Sequence, residues 1–184
     1  IRLSCLPRVI NYKDFNDIEF YELNLKPISS NLQKKTPNIG LAWSGRSTFS
    51  NDNFRSVPLA YFDKLLKKNF QFYKLQQEAS ENDIEILKKY SNITDLGSKS
   101  FFELANIIKQ LDLVISCDTA IIHLAGTLNV KSYLLLNYNS HWIWFDDSKS
   151  NVWYPSVEII KQIKMCDWST VFQKLETNIA QLYS

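Results

Sequence analysis

The stretch Leu111-Asp-Leu-Val-Ile-Ser-Cys-Asp-Thr-Ala-Ile-Ile-His-Leu-Ala-Gly126 decides how this chain folds. Leu113 to Cys117 reads as a short buried strand. From about Thr119 to Leu128 the residues read as a helix that is apolar nearly all round, through Ala120, Ile121, Ile122, Leu124 and Ala125, and such a helix is buried on most sides. A buried strand that runs directly into a buried helix is the first half of a strand-helix-strand unit, which predicts a parallel sheet with right-handed crossovers.

The rest of the chain repeats that alternation. Ile39 to Trp43, Phe70 to Leu75, Ile93 to Leu96 and Tyr133 to Leu136 read as further strands, and Val157 to Ile160 as a weaker sixth. Pro58 is expected to open a helix with Leu59, Phe62, Leu65 and Leu66 on one face. A second helix is read from Ser80 to about Tyr90. Ser100 with Glu103 three residues on forms a capping box ahead of Phe101, Leu104, Ile107, Ile108 and Leu111. The last helix, about residues 167 to 182, places Val171, Phe172, Leu175, Ile179 and Leu182 at helical spacing. The expected fold class is α/β, a Rossmann-like three-layer domain with a central parallel sheet, over residues 37–184. Residues 1–36 read as the end of an N-terminal domain plus a linker: a short apolar piece from Leu3 to Ile10, then turn formers and charges up to Pro37.

Composition narrows the function. The chain has 184 residues, of which 45% are hydrophobic and 22% charged, so a core needs neither metal nor disulfides. Lys and Arg number 21 against 19 Asp and Glu, and a net charge of +2 without basic clusters argues against nucleic-acid binding. No apolar run approaches the ~20 residues of a membrane span. Cys5, Cys117 and Cys166 are odd in number and scattered, which suits reduced thiols packed in a cytoplasmic protein. The chain starts at Ile1 without a secretory leader pattern and reads as an excised piece.

In open parallel sheets ligands bind outside the carboxyl ends of the strands. Two loops qualify. After the first strand, Ser44 and Gly45 could let backbone amides approach an anion, with Arg55 presenting its planar fork. After the fourth, Asp118 and Thr119 stand at a helix N-terminus, a cradle for phosphate, although Asp118 fits a plain N-cap equally well. His123 lies one turn on, on the face of Thr119 by the four-residue rule, and fits either a ligand or a satisfied core histidine. Neither GxGxxG nor GxxxxGK[ST] occurs, which disfavours a redox dinucleotide domain. Asp146-Asp147 lacks the partners of a metal motif. In the aromatic loop from Tyr138 to Asp147, Trp142 and Trp144 fit core cover or stacking on a ligand, and Trp153-Tyr154-Pro155 a structural corner.

Taken together, Gly40-Leu-Ala-Trp-Ser-Gly45, Asn51-Asp-Asn-Phe-Arg-Ser-Val-Pro-Leu59, Leu75-Gln-Gln77, Thr94-Asp-Leu-Gly97, Asp112 to Gly126 and Trp153-Tyr-Pro155 resemble the C-terminal half of GT-B glycosyltransferases. The narrower resemblance is to the heptosyltransferase-like family 9, in the form often attached to tetratricopeptide repeats in bacteria. It implies a domain that holds the nucleotide diphosphate of an activated sugar, with no metal and no cofactor. The diphosphate would rest on the helix start at Asp118, Thr119 and Ala120, near His123, in protonated form a further stabiliser of the leaving group. Ser44, Gly45 and Arg55 would close over the phosphates, and Gln76 and Gln77 would meet base and ribose. The implied partners are a nucleotide sugar and an N-terminal domain supplying the acceptor pocket and general base, without which this chain is not expected to catalyse. Gln77-Glu78 departs from the Lys-Gly frequent in the family. The alternatives are an inactive GT-B-like binding or scaffold module and a nucleotide-sugar epimerase-like domain.

Overall fold

The computed structural model describes residues 32, 36–46, 48, 52–144 and 153–183. Six parallel strands form one sheet: β1 (Asn38–Ala42), β2 (Gln71–Lys74), β3 (Ile93–Asp95), β4 (Leu113–Cys117), β5 (Ser132–Leu136) and β6 (Val157–Lys161), in the order β3-β2-β1-β4-β5-β6. β1 is central, with Gly40 in register with Tyr73 on one side and Val114 on the other. The Rossmann-like α/β expectation is met, and all six strands read from the sequence are present within a residue or two.

Side chains alternate between two layers, because a strand turns successive residues to opposite faces. Ile39, Leu41, Leu113, Ile115 and Leu135 pack with Phe62, Leu65, Val171, Phe172, Leu175 and Ile179 on one face. Ala42, Tyr73, Leu75 and Val114 pack with Leu104, Ile108, Ile121 and Ala125 on the other. With both faces covered, β1, β4 and β5 are buried at every position, which explains their continuous apolar runs.

The helices are α1 (Asp52–Arg55), α2 (Asp63–Leu66), α3 (Glu81–Leu87), α4 (Phe101–Ile108), α5 (Ala120–Thr127) and α6 (Ser169–Leu182). The segment after Pro58 differs from the expected single helix. It begins as a 3-10 turn, Leu59–Phe62, with Pro58 outside it at ψ 127°, and only then becomes α2. Leu59 and Phe62 are thereby both buried, as i and i+3 eclipse in a 3-10 turn.

The capping box at the start of α4 is present: Ser100 Oγ accepts from the Glu103 amide at 3.3 Å, and Glu103 Oε2 accepts from the Ser100 amide at 2.9 Å. Ser100→Ala is expected to cost about 1 kcal/mol and to lower the melting temperature by roughly 2–4 °C, as thermal denaturation would read.

The core role expected of the cysteines holds for Cys117, whose thiol burial pushes well above its usual pKa. It fails for Cys166, which is exposed in a turn at φ 61°. The loop turns its apolar side chains outward with it, Ile163 and Met165 being exposed as well. Cys5, the Leu3 to Ile10 piece and Asp146-Asp147 lie outside the described residues.

Candidate functional site

β1 and β4 lie side by side, yet the chain leaves them in opposite directions, to β2 and to β5. The crevice at this topological switch point is where such sheets take ligands. Two adjoining hollows open there. The smaller, about 290 Å³, is lined by Ser44, Gly45, Arg55, Gln77, Phe101 and Ala120 among others. The larger, about 690 Å³, is lined by Arg55, Asp118, His123, Asn137, His141 and Met165 among others. Arg55 borders both. A third hollow of about 690 Å³ lies at the amino ends of β5 and β6, beside Lys131, Ser132 and Val157, so volume alone does not single out the site.

Arg55 is held in place from two elements. Its Nε donates to Asp52 Oδ1 at 2.9 Å within α1, and its Nη1 donates to the carbonyl of Asp118 at 3.0 Å across the crevice. Asp52 is steadied in turn by Ser56 Oγ at 2.7 Å, and Ser56 Oγ accepts from the Gly45 amide at 3.2 Å. A Cβ at Gly45 would run into Arg55 Nη2 and come 2.5 Å from Asp52 Oδ1, so only glycine lets the guanidinium lie across the loop. Two residues of this support, Asp52 and Ser56, were missed by sequence reading. The i,i+3 spacing of Asp52 and Arg55 on a helical turn was the signal for the first.

Gln76 is 6% exposed at the end of β2, and its carboxamide is saturated inside the protein. Oε1 accepts from the amides of Trp43 at 2.7 Å and Ser44 at 3.0 Å. Nε2 donates to Ser44 Oγ and to the Glu78 carbonyl, both at 2.7 Å. An amide side chain offers two donors and two acceptor sites, and all four are used. Gln76 thus shapes the loop after β1. The Ser44 amide already has its partner there, whereas the Gln77 side chain stays exposed and reaches the Lys99 carbonyl at 2.8 Å.

The structure decides the N-cap alternatives for α5. Thr119 is the N-cap, in extended backbone at φ −139°, and no side chain caps the helix, so Asp118 does not serve as a plain N-cap. Thr119 Oγ1 sits 3.1 Å from Ser116 Oγ. Because Thr119 precedes the helix in extended conformation, the four-residue rule does not place it with His123. Thr119 and Ala120 line the smaller hollow, and Asp118 and His123 the larger one.

His123 is stacked on Trp144 with ring centroids 4.8 Å apart, and its Nδ1 lies 3.1 Å from the Tyr154 hydroxyl. Its Nε2 lies 3.9 Å from Asp118 Oδ1. Burial lowers its pKa below the usual value of 6.5, with Asp118 opposing and His141 assisting. Burial thus favours the neutral ring over the imidazolium. A proton that binds the unfolded chain near pH 6.5 binds the native ring only at lower pH, so stability is complete above about pH 6.5 and declines as pH falls through and below it. The expected result is a melting temperature that drops on acidification through this window, with a smaller drop in His123→Asn.

Trp144 is core, 1% exposed, whereas Trp142 stands half-exposed on the loop surface beside an exposed His141. Among the described residues no group of three His, Cys, Asp or Glu side chains is placed to hold a metal ion. Nor, among them, is any helix long and apolar enough to cross a membrane.

No protein-family model and no curated protein matches the sequence. Solved structures do resemble the fold. An E. coli ADP-heptose LPS heptosyltransferase II aligns at a TM-score of 0.56 with 16% identity, over 84% of this chain and 50% of its own. The E. coli heptosyltransferase WaaC, solved with ADP, aligns at 0.53 with 13% identity, over 79% of this chain and 45% of its own. A family 9 glycosyl transferase from Veillonella parvula aligns at 0.52 with 10% identity, over 82% of this chain and 41% of its own. This chain spans half or less of each of those proteins, and at such identities the likeness is one of fold: the described residues have the parallel α/β fold found within family 9 heptosyltransferases.

Proposed function

We propose that this chain is the donor-holding domain of a glycosyltransferase related to family 9, and that the crevice between the ends of β1 and β4 takes the nucleotide diphosphate of an activated sugar. The observation that carries the reading is Arg55, whose guanidinium is pinned by Asp52 and by the Asp118 carbonyl beside the start of α5, a helix no side chain caps. A cationic fork and the positive end of a helix dipole converge there, the arrangement that suits a diphosphate. A heptosyltransferase of like fold has been solved with ADP.

In this reading an acceptor hydroxyl attacks the anomeric carbon as the nucleotide diphosphate leaves. Charge builds on the departing oxygens, and the first amides of α5 together with Arg55, already oriented, stabilise it without a metal. Thr119 and Ala120 face the nucleotide side, Asp118 and His123 the sugar side, and Gln77 with Phe101 the base and ribose. Ser44 and Gly45 shape the loop over the phosphates, with Gln76 bracing it from beneath. The acceptor pocket and general base belong to an N-terminal domain beyond residues 37–184, with or without tetratricopeptide repeats, acting in the cytoplasm.

Two observations favour the second reading, an inactive module with the same fold. The Trp43 and Ser44 amides are taken by Gln76, and Glu78 brings a carboxylate to the smaller hollow. Calorimetric titration with UDP, GDP and ADP in the presence of EDTA tests both. Saturable binding of one nucleotide, indifferent to added magnesium, is the expected result. A folded chain that binds none of the three would turn the assignment to the inactive module.

A further inference from the structure

Tyr154 belongs to the segment that reads from the sequence as a structural corner, yet it touches the one ionisable side chain of α5. Its ring lies against Gly126, where a Cβ would come 2.7 Å from Cδ1, so the last turn of α5 accepts the tyrosine only because residue 126 is glycine. The His123 and Tyr154 rings meet edge to face, at 5.7 Å and 68°, and Trp144 stacks on the imidazole at 4.8 Å, with its own ring 6.4 Å from that of Tyr154. The ring of His123 is thus fixed in orientation, with Nδ1 toward the tyrosine hydroxyl and Nε2 toward Asp118.

A neutral imidazole has one N–H and one lone pair, and two observations say which nitrogen has which. Nε2 lies 3.9 Å from Asp118 Oδ1, where a lone pair would be repelled by the carboxylate and an N–H attracted. On the other side, the Tyr154 hydroxyl lies 3.1 Å from Nδ1, while Thr127 Oγ1 gives its hydrogen to the His123 carbonyl at 2.8 Å. A phenol is a better donor than acceptor and an unprotonated imidazole nitrogen is a strong acceptor, so the phenol hydrogen is directed to Nδ1 and the ring proton stays on Nε2.

We propose that Tyr154 is a positioning residue: its hydroxyl donates to Nδ1 of His123 and so keeps the proton of the neutral ring on Nε2, turned toward Asp118 and the larger hollow. This rests on the reading of that hollow as the sugar side of a nucleotide-sugar site. His123 then offers an uncharged N–H to an oxygen of the sugar or diphosphate, and acts neither as a cation nor as a base. The charged and titratable groups facing it are Asp118 at the end of β4, Arg55 of α1, His141 after β5 and Tyr154 before β6. Asp118 favours the imidazolium while burial and His141 oppose it, burial being the largest.

Nitrogen-15 NMR of the imidazole rings in the full chain tests this directly. The chain has 2 histidines, and His141→Gln assigns the remaining ring to His123. The expected spectrum of the wild-type ring has a protonated Nε2 and a hydrogen-bonded, unprotonated Nδ1, persisting below pH ~6.5, where a free histidine titrates. Tyr154→Phe is expected to give a mixture of tautomers and to weaken nucleotide-sugar binding about two- to tenfold, the worth of one neutral hydrogen bond. A wild-type ring protonated on Nδ1 overturns the proposal whether or not the variant folds, and so does a folded Tyr154→Phe with an unchanged tautomer. If the ring is as expected but UDP, GDP, ADP and their sugar conjugates all fail to bind, the tyrosine's role stands and the nucleotide reading falls.

Discussion

Arg55→Ala is expected to lower affinity for the bound nucleotide diphosphate by roughly 10- to 100-fold, which corresponds to the 1.5–3 kcal/mol typical of a hydrogen bond to a charged group. The guanidinium is oriented before any ligand arrives, since Asp52 and the Asp118 carbonyl already hold its plane. Little ordering entropy is left to lose on binding. Arg55→Lys should recover only a fraction of the loss, because an ammonium cannot bridge Asp52 and Asp118 while also facing a phosphate. Gly45→Ala should reproduce much of it with the charge intact, since the added methyl would stand in the place of Nη2. Calorimetric titration of the three variants checks the ordering, and an Arg55→Ala affinity equal to the wild type would remove Arg55 from the site.

The second large effect is on stability. Gln76→Leu is expected to destabilise the domain by about 2–4 kcal/mol, because it strips partners from the buried Trp43 amide and from the part-buried Ser44 amide and Glu78 carbonyl. For a chain of this size that lowers the melting temperature by roughly 5–15 °C. Gln76→Glu keeps both acceptors but loses both donors. Its deficit should shrink at acid pH, where a protonated carboxyl regains one donor. Denaturation of the two variants at pH 7 and pH 5 would read this, and a Gln76→Leu protein as stable as the wild type would refute the bracing role.

Residue patterns carried the fold because burial leaves a local imprint. β1, β4 and β5 are enclosed by helices on both faces, so their residues are apolar without interruption, and α4 announces its start through Ser100 and Glu103. Pro58 misled in detail, since a proline at a helix start does not reveal whether the first turn is 3-10 or α. The Asp118 to His123 stretch was legible for a related reason: a strand that ends at a helix start creates an anion-favouring place whatever surrounds it.

What the sequence by itself determined is therefore the parallel α/β arrangement, the six strands in order, and the two loops that can meet a ligand. Only the tertiary structure decided how those loops join. It brought Arg55 to the Asp118 carbonyl 63 positions away, closed Gln76 under Trp43 and Ser44, and set Tyr154 against His123 from 31 positions downstream. It also buried His123, which lowers its pKa, and put Thr119 and His123 in different hollows. The physical reason is one of range. Helix and strand periodicities are written within a few neighbouring residues, whereas hydrogen-bond partners, burial and hence protonation depend on which distant segments the sheet order places side by side.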